Sequence, residues 1–126
     1  MAYRTPLARV RGLGSARSGA EHFWRQRLTA IANIFLVTFL VWLLASLAGA
    51  DYPTVRTTLA KPHIAIPLLL LVLSGLVHMR LGMQTIIEDY IHGEGSKVVA
   101  LMLNSFFVVV VGLVCVFAVL KLSFGA

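Results

Sequence analysis

Three long apolar runs, separated by short polar stretches, set the pattern of this chain. Residues 28–50 carry no charge. As a helix they reach about 34 Å, enough to cross a hydrocarbon core of about 30 Å. Residues 64–87 form a second run, whose only ionisable residues are His78 and Arg80. Residues 98–120 form a third, polar only at Asn104 and Ser105 and closed by Lys121. Gly49, Asp51, Tyr52 and Pro53 end the first run, and residues 51–63, with Arg56, Lys61 and His63, read as a loop. Pro62 and Pro67 flank the start of the second helix, where a missing N–H has no partner to lose. Residues 88–97, with Glu88, Asp89, Gly93, Glu94, Gly95 and Lys97, read as the second loop. The pattern predicts an all-α membrane protein with three transmembrane helices. Residues 1–27 form a basic cytoplasmic N-terminal arm, and residues 28–122 a three-helix anchor domain. Within the arm, residues 1–20 read as flexible or surface-lying. Phe23 and Trp24 fit an interfacial belt, with arginines facing headgroups.

Composition agrees. Of the residues, 59% are hydrophobic and 13% charged, a balance that excludes an ordinary soluble domain. Arg4, Arg9, Arg11, Arg17, Arg25 and Arg27 precede the first run, against Glu21 alone. Positive charge stays on the cytoplasmic side, so this end reads as topology and not as nucleic-acid binding. Three crossings then put residues 88–97 inside as well; their acidity is tolerated, because Asp and Glu weigh little in that rule. The first twenty residues, arginine-rich, acid-free and carrying Ser15 and Ser18, also suit a short transit peptide. A secretory signal is not expected, because the first apolar run starts too late and is too long. The single cysteine, Cys115, can form no intrachain disulfide and says nothing about redox compartment. There is no internal repeat or second domain.

Candidate chemistry concentrates in the second run. At 100° per residue, Gly75, His78, Gly82, Thr85 and Asp89 fall within about 80° of one another. A histidine with glycine at i−3 and i+4 has no bulk above or below it. A flat ligand such as haem fits such a groove, with neutral imidazole as axial donor. Small residues also allow close helix packing, with the histidine hydrogen-bonding across the contact. A proton relay is a third role, and spacing alone leaves all three open. Arg80 lies about 200° from His78 and about 15 Å below Tyr90, too deep to snorkel fully. No span contains an acid to pair with it, which favours a partner chain or a ligand carboxylate. Tyr90, about 18 Å from His78, is either an interfacial anchor or, with Asp89, a hydrogen-bonding site for a quinone carbonyl. His22 and His92 read as solvated ends, and His63 as lying at the opposite membrane face. There is no phosphate loop, cysteine cluster or activated nucleophile.

Three features together resemble the small hydrophobic membrane-anchor (D) subunits of succinate dehydrogenase, respiratory complex II, most closely those of alphaproteobacteria. These are His-Phe-Trp-Arg-Gln-Arg-Leu-Thr-Ala-Ile-Ala at 22–32, His78 followed by Gly82-Met83-Gln84, and the terminal Asp89-Tyr90. The likeness covers about residues 15–122. It implies that His78 is an axial ligand of a haem b iron shared with a second, larger anchor subunit. It implies that Tyr90 hydrogen-bonds ubiquinone beside Asp89, and that Arg27 lies near the haem propionates and quinone pocket. Arg80 is less general in the family; a propionate, quinone-site or partner contact is the implied range. The family also implies a flavoprotein subunit holding FAD, an iron–sulfur subunit holding its clusters, and a bacterial inner membrane rather than a mitochondrial one. The expected function is to anchor a succinate:ubiquinone oxidoreductase. The residues by themselves also suit a non-enzymatic scaffold, assembly factor or transporter accessory subunit, with His78, Arg80 and Asp89 packing or coupling protons. A fumarate reductase anchor shares the architecture.

Overall fold

The computed structural model describes residues 5–10 and 18–125. Among them are five α-helices and no strand: α1 (Pro6–Val10), α2 (Ser18–Leu47), α3 (Tyr52–Leu59), α4 (Pro62–Tyr90) and α5 (Glu94–Phe124). Arg4, Arg11 and Arg17 of the expected arm lie outside the described residues. The three expected spans are present as α2, α4 and α5, each long and apolar enough to cross a membrane.

The helices run further than the apolar runs. Residues 21–27, expected before the first span, are already turns of α2. Thr29 and Thr38 sit within this helix by donating their hydroxyls to carbonyls one turn back. The helix ends at Leu47, and Gly49 takes a left-handed φ of 80° to turn the chain. At the second connection α4 continues to Tyr90 and α5 starts at Glu94, so only residues 91–93 are left between them.

The first connection is not a loop. Its middle folds into α3. Asp51 caps this helix, its carboxylate accepting from the Thr54 N–H at 3.1 Å, and proline occupies the first turn. The two prolines that follow are not equivalent. Pro62 opens α4, but Pro67 lies inside it, beyond the first turn. There it lacks the N–H that would bond the His63 carbonyl.

Helix α4 is central. It packs antiparallel against α2 on one side and α5 on the other, while α2 and α5 make no substantial contact with each other. The result is a row, open on both broad faces. Lipid gives helices no hydrophobic reason to associate, so small residues and polar links carry the contacts. A Cβ on Gly112 would stand 2.9 Å from Leu76 Cδ1. Asn104 Nδ2 donates to the Arg80 carbonyl at 3.1 Å, and Lys97 Nζ donates to the Glu88 carbonyl at 3.2 Å. Leu43, Ile64 and Ala65 are buried near the end where α3 lies against α4 and α5.

Candidate functional site

The α2 face toward α4 carries a polar stripe, His22, Gln26, Thr29 and Asn33, at helical spacing of four, three and four. Opposite it on α4 lie Ser74, His78 and Gly82. Ser74 Oγ donates to the Thr29 carbonyl at 3.4 Å. A Cβ on Gly82 would stand 3.9 Å from Gln26 Nε2, whereas one on Gly75 would have nothing within 4 Å. Within this chain neither glycine is demanded by a close approach. A side-chain carbon at Gly82 would make an ordinary contact with Gln26, and one at Gly75 would meet open space.

His78 is held through one ring nitrogen. Its Nδ1 lies 3.3 Å from the Gln26 carbonyl oxygen and 3.2 Å from Thr29 Oγ1. A carbonyl oxygen only accepts, so Nδ1 carries the proton. The Thr29 hydroxyl spends its own proton on the Arg25 and Gln26 carbonyls, at 2.9 and 3.0 Å. It is therefore free to accept from His78. The tautomer that results keeps the lone pair on Nε2, the arrangement in which a histidine binds metal and its other N–H is oriented by the protein.

Beside the ring is an open cleft of about 420 Å³, lined by Phe23, Gln26, Arg27, Ala30, Ile31 and His78. Most of its wall is apolar, and Arg27 brings a cation, its guanidinium carbon lying 4.5 Å from the centre of the Phe23 ring. Among the described residues no three His, Cys, Asp or Glu side chains are grouped to hold a metal ion. His78 is thus a single donor, and a metal ion held there would need its other ligands from outside these side chains. Donor chemistry, apolar wall and nearby cation suit a haem.

The other expected site residues lie apart. Tyr90, 78% exposed, and Asp89, also exposed, stand at the cytoplasmic-directed end of α4 in the expected topology, with no side-chain hydrogen bond to any described residue. Arg80 is exposed on α4, and its side chain pairs with no described residue. The sole ion pair among the described residues joins Arg25 to Glu21 one turn apart. His92 and His63 are exposed at opposite ends of the row, as expected. His22 departs from expectation. Its Nε2 is buried and has no hydrogen-bond partner among the described residues, because the residue begins the stripe against α4. Asn33 Oδ1, at the stripe's other end, is in the same state. Sequence reading missed Gln26 and Thr29 as supports of His78, though their spacing on one helix face was the available signal. Outside the spans, the Thr54 hydroxyl and then its N–H hold the Asp51 carboxyl below the ordinary range.

Comparison with known proteins bears on what this site serves. Residues 1–119 match the family described as Succinate dehydrogenase/Fumarate reductase transmembrane subunit. The chain is 33% identical to the succinate dehydrogenase hydrophobic membrane anchor subunit of Rickettsia bellii (strain RML369-C), over 91% of this chain and 94% of that one. It is 29% identical to the protein of the same description from Paracoccus denitrificans, over 100% of this chain and 97% of that one. It is 34% identical to the succinate dehydrogenase membrane anchor subunit of Reclinomonas americana, over 69% and 75% of the two chains. No solved structure matches. A chain with three membrane-length helices, matched almost end to end by such proteins, belongs to the succinate dehydrogenase membrane-anchor subunit family.

Proposed function

We propose that this chain anchors a succinate:ubiquinone oxidoreductase in a bacterial inner membrane, shares a haem b with a second anchor subunit, and forms part of the ubiquinone site. The observation that supports this most directly is the division of labour on His78. Nδ1 is tied to Gln26 and Thr29 of α2, and Nε2 is left with its lone pair beside a cleft that also holds Arg27.

Each residue then has a task. His78 Nε2 would hold the haem iron from this chain; Thr29 and the Gln26 carbonyl fix the ring and its tautomer. Arg27 offers its charge to haem propionates, and its stacking on Phe23 holds that charge at the cleft. Haem b, when bound, supplies a one-electron redox centre. A second ligand to the iron and the missing wall of the cleft would come from the partner anchor. Tyr90 donates its O–H to a ubiquinone carbonyl, a bond that strengthens as negative charge develops on that oxygen. Asp89 lies beside it. Succinate oxidation, FAD and the iron–sulfur clusters belong to the flavoprotein and iron–sulfur subunits. The succinate direction is preferred to fumarate reduction because the similar relatives described above carry the succinate dehydrogenase name.

The test is a dithionite-reduced minus oxidised optical spectrum of the complex that co-purifies with this chain. A b-type signal that disappears in His78→Ala is the expected result. A full signal in that variant moves the ligand elsewhere. No signal in the unaltered complex returns His78 to helix packing.

A further inference from the structure

The apolar stretches of the three helices are not level. Gln26 and Thr29 lie beside His78, Asn104 beside Arg80, and Lys97 beside Glu88. This register sets Glu21, His22 and Arg25 of α2 against the same depth as Met102, Leu103 and Phe106 of α5, all three of which are exposed. At the other end Trp42 and Leu44 of α2, also exposed, stand as far out as Lys121 or further. The apolar stretch of α2 is therefore displaced along the axis from that of α5 by about ten residues, or ~15 Å. A bilayer perpendicular to the row would draw Glu21 and Arg25 into hydrocarbon or leave Met102 and Phe106 in the headgroups. Tilting the row removes both conflicts. Two interhelix gaps of about 9 Å each turn a ~15 Å offset into a tilt of roughly 40°, at the upper end of the usual range for membrane helices.

The tilt changes the depth of Arg80. The cytoplasmic boundary, drawn from Arg27 on α2 to Val98 on α5, crosses α4 near Met83 and Gln84. Arg80 then sits only about 5 Å beneath it, within the reach of a snorkelling arginine. It is shallower than its distance from Tyr90 suggests. It emerges about 200° around α4 from His78, away from the cleft. The face it shares with Gln84 continues to Glu88, whose carboxylate accepts from Gln84 Nε2 at 2.7 Å. On α5, at the same depth, Val98, Leu101, Met102, Ser105 and Phe106 line a shallow groove of about 300 Å³. By helical phase this groove flanks Asn104 on the Arg80 side.

We infer that Arg80 holds the phosphate of a phospholipid from the cytoplasmic leaflet, with an acyl chain along the neighbouring α5 groove. A guanidinium with no partner among the described residues, at phosphate reach and beside an apolar groove, is matched in charge and shape by that molecule. The site is separate from the haem and quinone reading and stands or falls without it.

The test counts phospholipid phosphate retained by the detergent-purified complex. Loss of one phospholipid per complex in Arg80→Gln, with retention in Arg80→Lys, is expected. Equal retention in Arg80→Gln overturns the assignment. So does full retention with an altered haem spectrum, which would put Arg80 on a propionate. A second measurement keeps Arg80 and places a photoreactive benzoylphenylalanine at Gln84. A phospholipid adduct on this chain supports the site, and an adduct with another polypeptide alone overturns it.

Discussion

Replacing Thr29 by valine tests how far the orientation of His78 matters. The change keeps the volume and β-branching but removes the oxygen 3.2 Å from His78 Nδ1. Two effects compete. A neutral hydrogen bond is worth about 0.5–1.5 kcal/mol, and outer-shell partners of metal-bound histidines are worth about 10–100-fold in affinity. Here the contact is long, and the Gln26 carbonyl, 3.3 Å away, still accepts from the same N–H. The lower end applies, so haem affinity falls about tenfold or less, which is about 1.4 kcal/mol or less. The assay is haem per complex, measured optically as the complex is challenged with a haem-scavenging protein. Thr38→Val is the control. It removes a similar hydroxyl-to-carbonyl bond on the exposed side of the same helix, and should leave haem retention unchanged. Equal retention in Thr29→Val and the unaltered complex would refute the claim that Nδ1 is tethered for ligation.

Tyr90→Phe should lower ubiquinone reduction about 2–10-fold, the worth of one hydrogen bond, while succinate oxidation with an artificial acceptor is unaffected; equal loss in both assays points instead to faulty assembly. Gly112→Leu should loosen the α4–α5 contact, because even a Cβ there would stand 2.9 Å from Leu76 Cδ1. Overpacking of this kind costs about 1–3 kcal/mol, read as a lower midpoint of thermal unfolding. Asp51 has its carboxyl held low by Thr54, so its cap is fully present above the ordinary carboxylate range and is lost as pH falls through the depressed value. Protection of the α3 amides, measured against their intrinsic exchange rates, should therefore fall at acid pH, and Asp51→Ala should show low protection at every pH.

The spans were legible because uncharged runs of membrane length have one physical reading. The ends of the spans were not, because helical backbone does not stop where apolar side chains do. Residues 21–27 are polar and still helical. Helix α3 was hidden by Pro53, which reads as a breaker, although Asp51 three residues before Thr54 is a capping signal. His78 was singled out by its glycines, yet its tautomer depends on Gln26 and Thr29, far away in sequence. The same holds for Arg80. Its depth follows from the register among three helices, which Gln26 and Thr29 set on one side of α4 and Asn104, Lys97 and Gly112 on the other, and no single stretch encodes. Both His22 and Asn33 looked unremarkable until α4 closed over them.

The central place of α4 also orders biosynthesis. Everything this chain contributes around His78 comes from α2 and α4, which leave the ribosome before α5. The first hairpin can insert and dock while the last helix is still being made, since α5 touches α4 on the far side and scarcely meets α2. This chain's side of the His78 cleft is thus complete in a nascent chain that has not yet reached its final crossing.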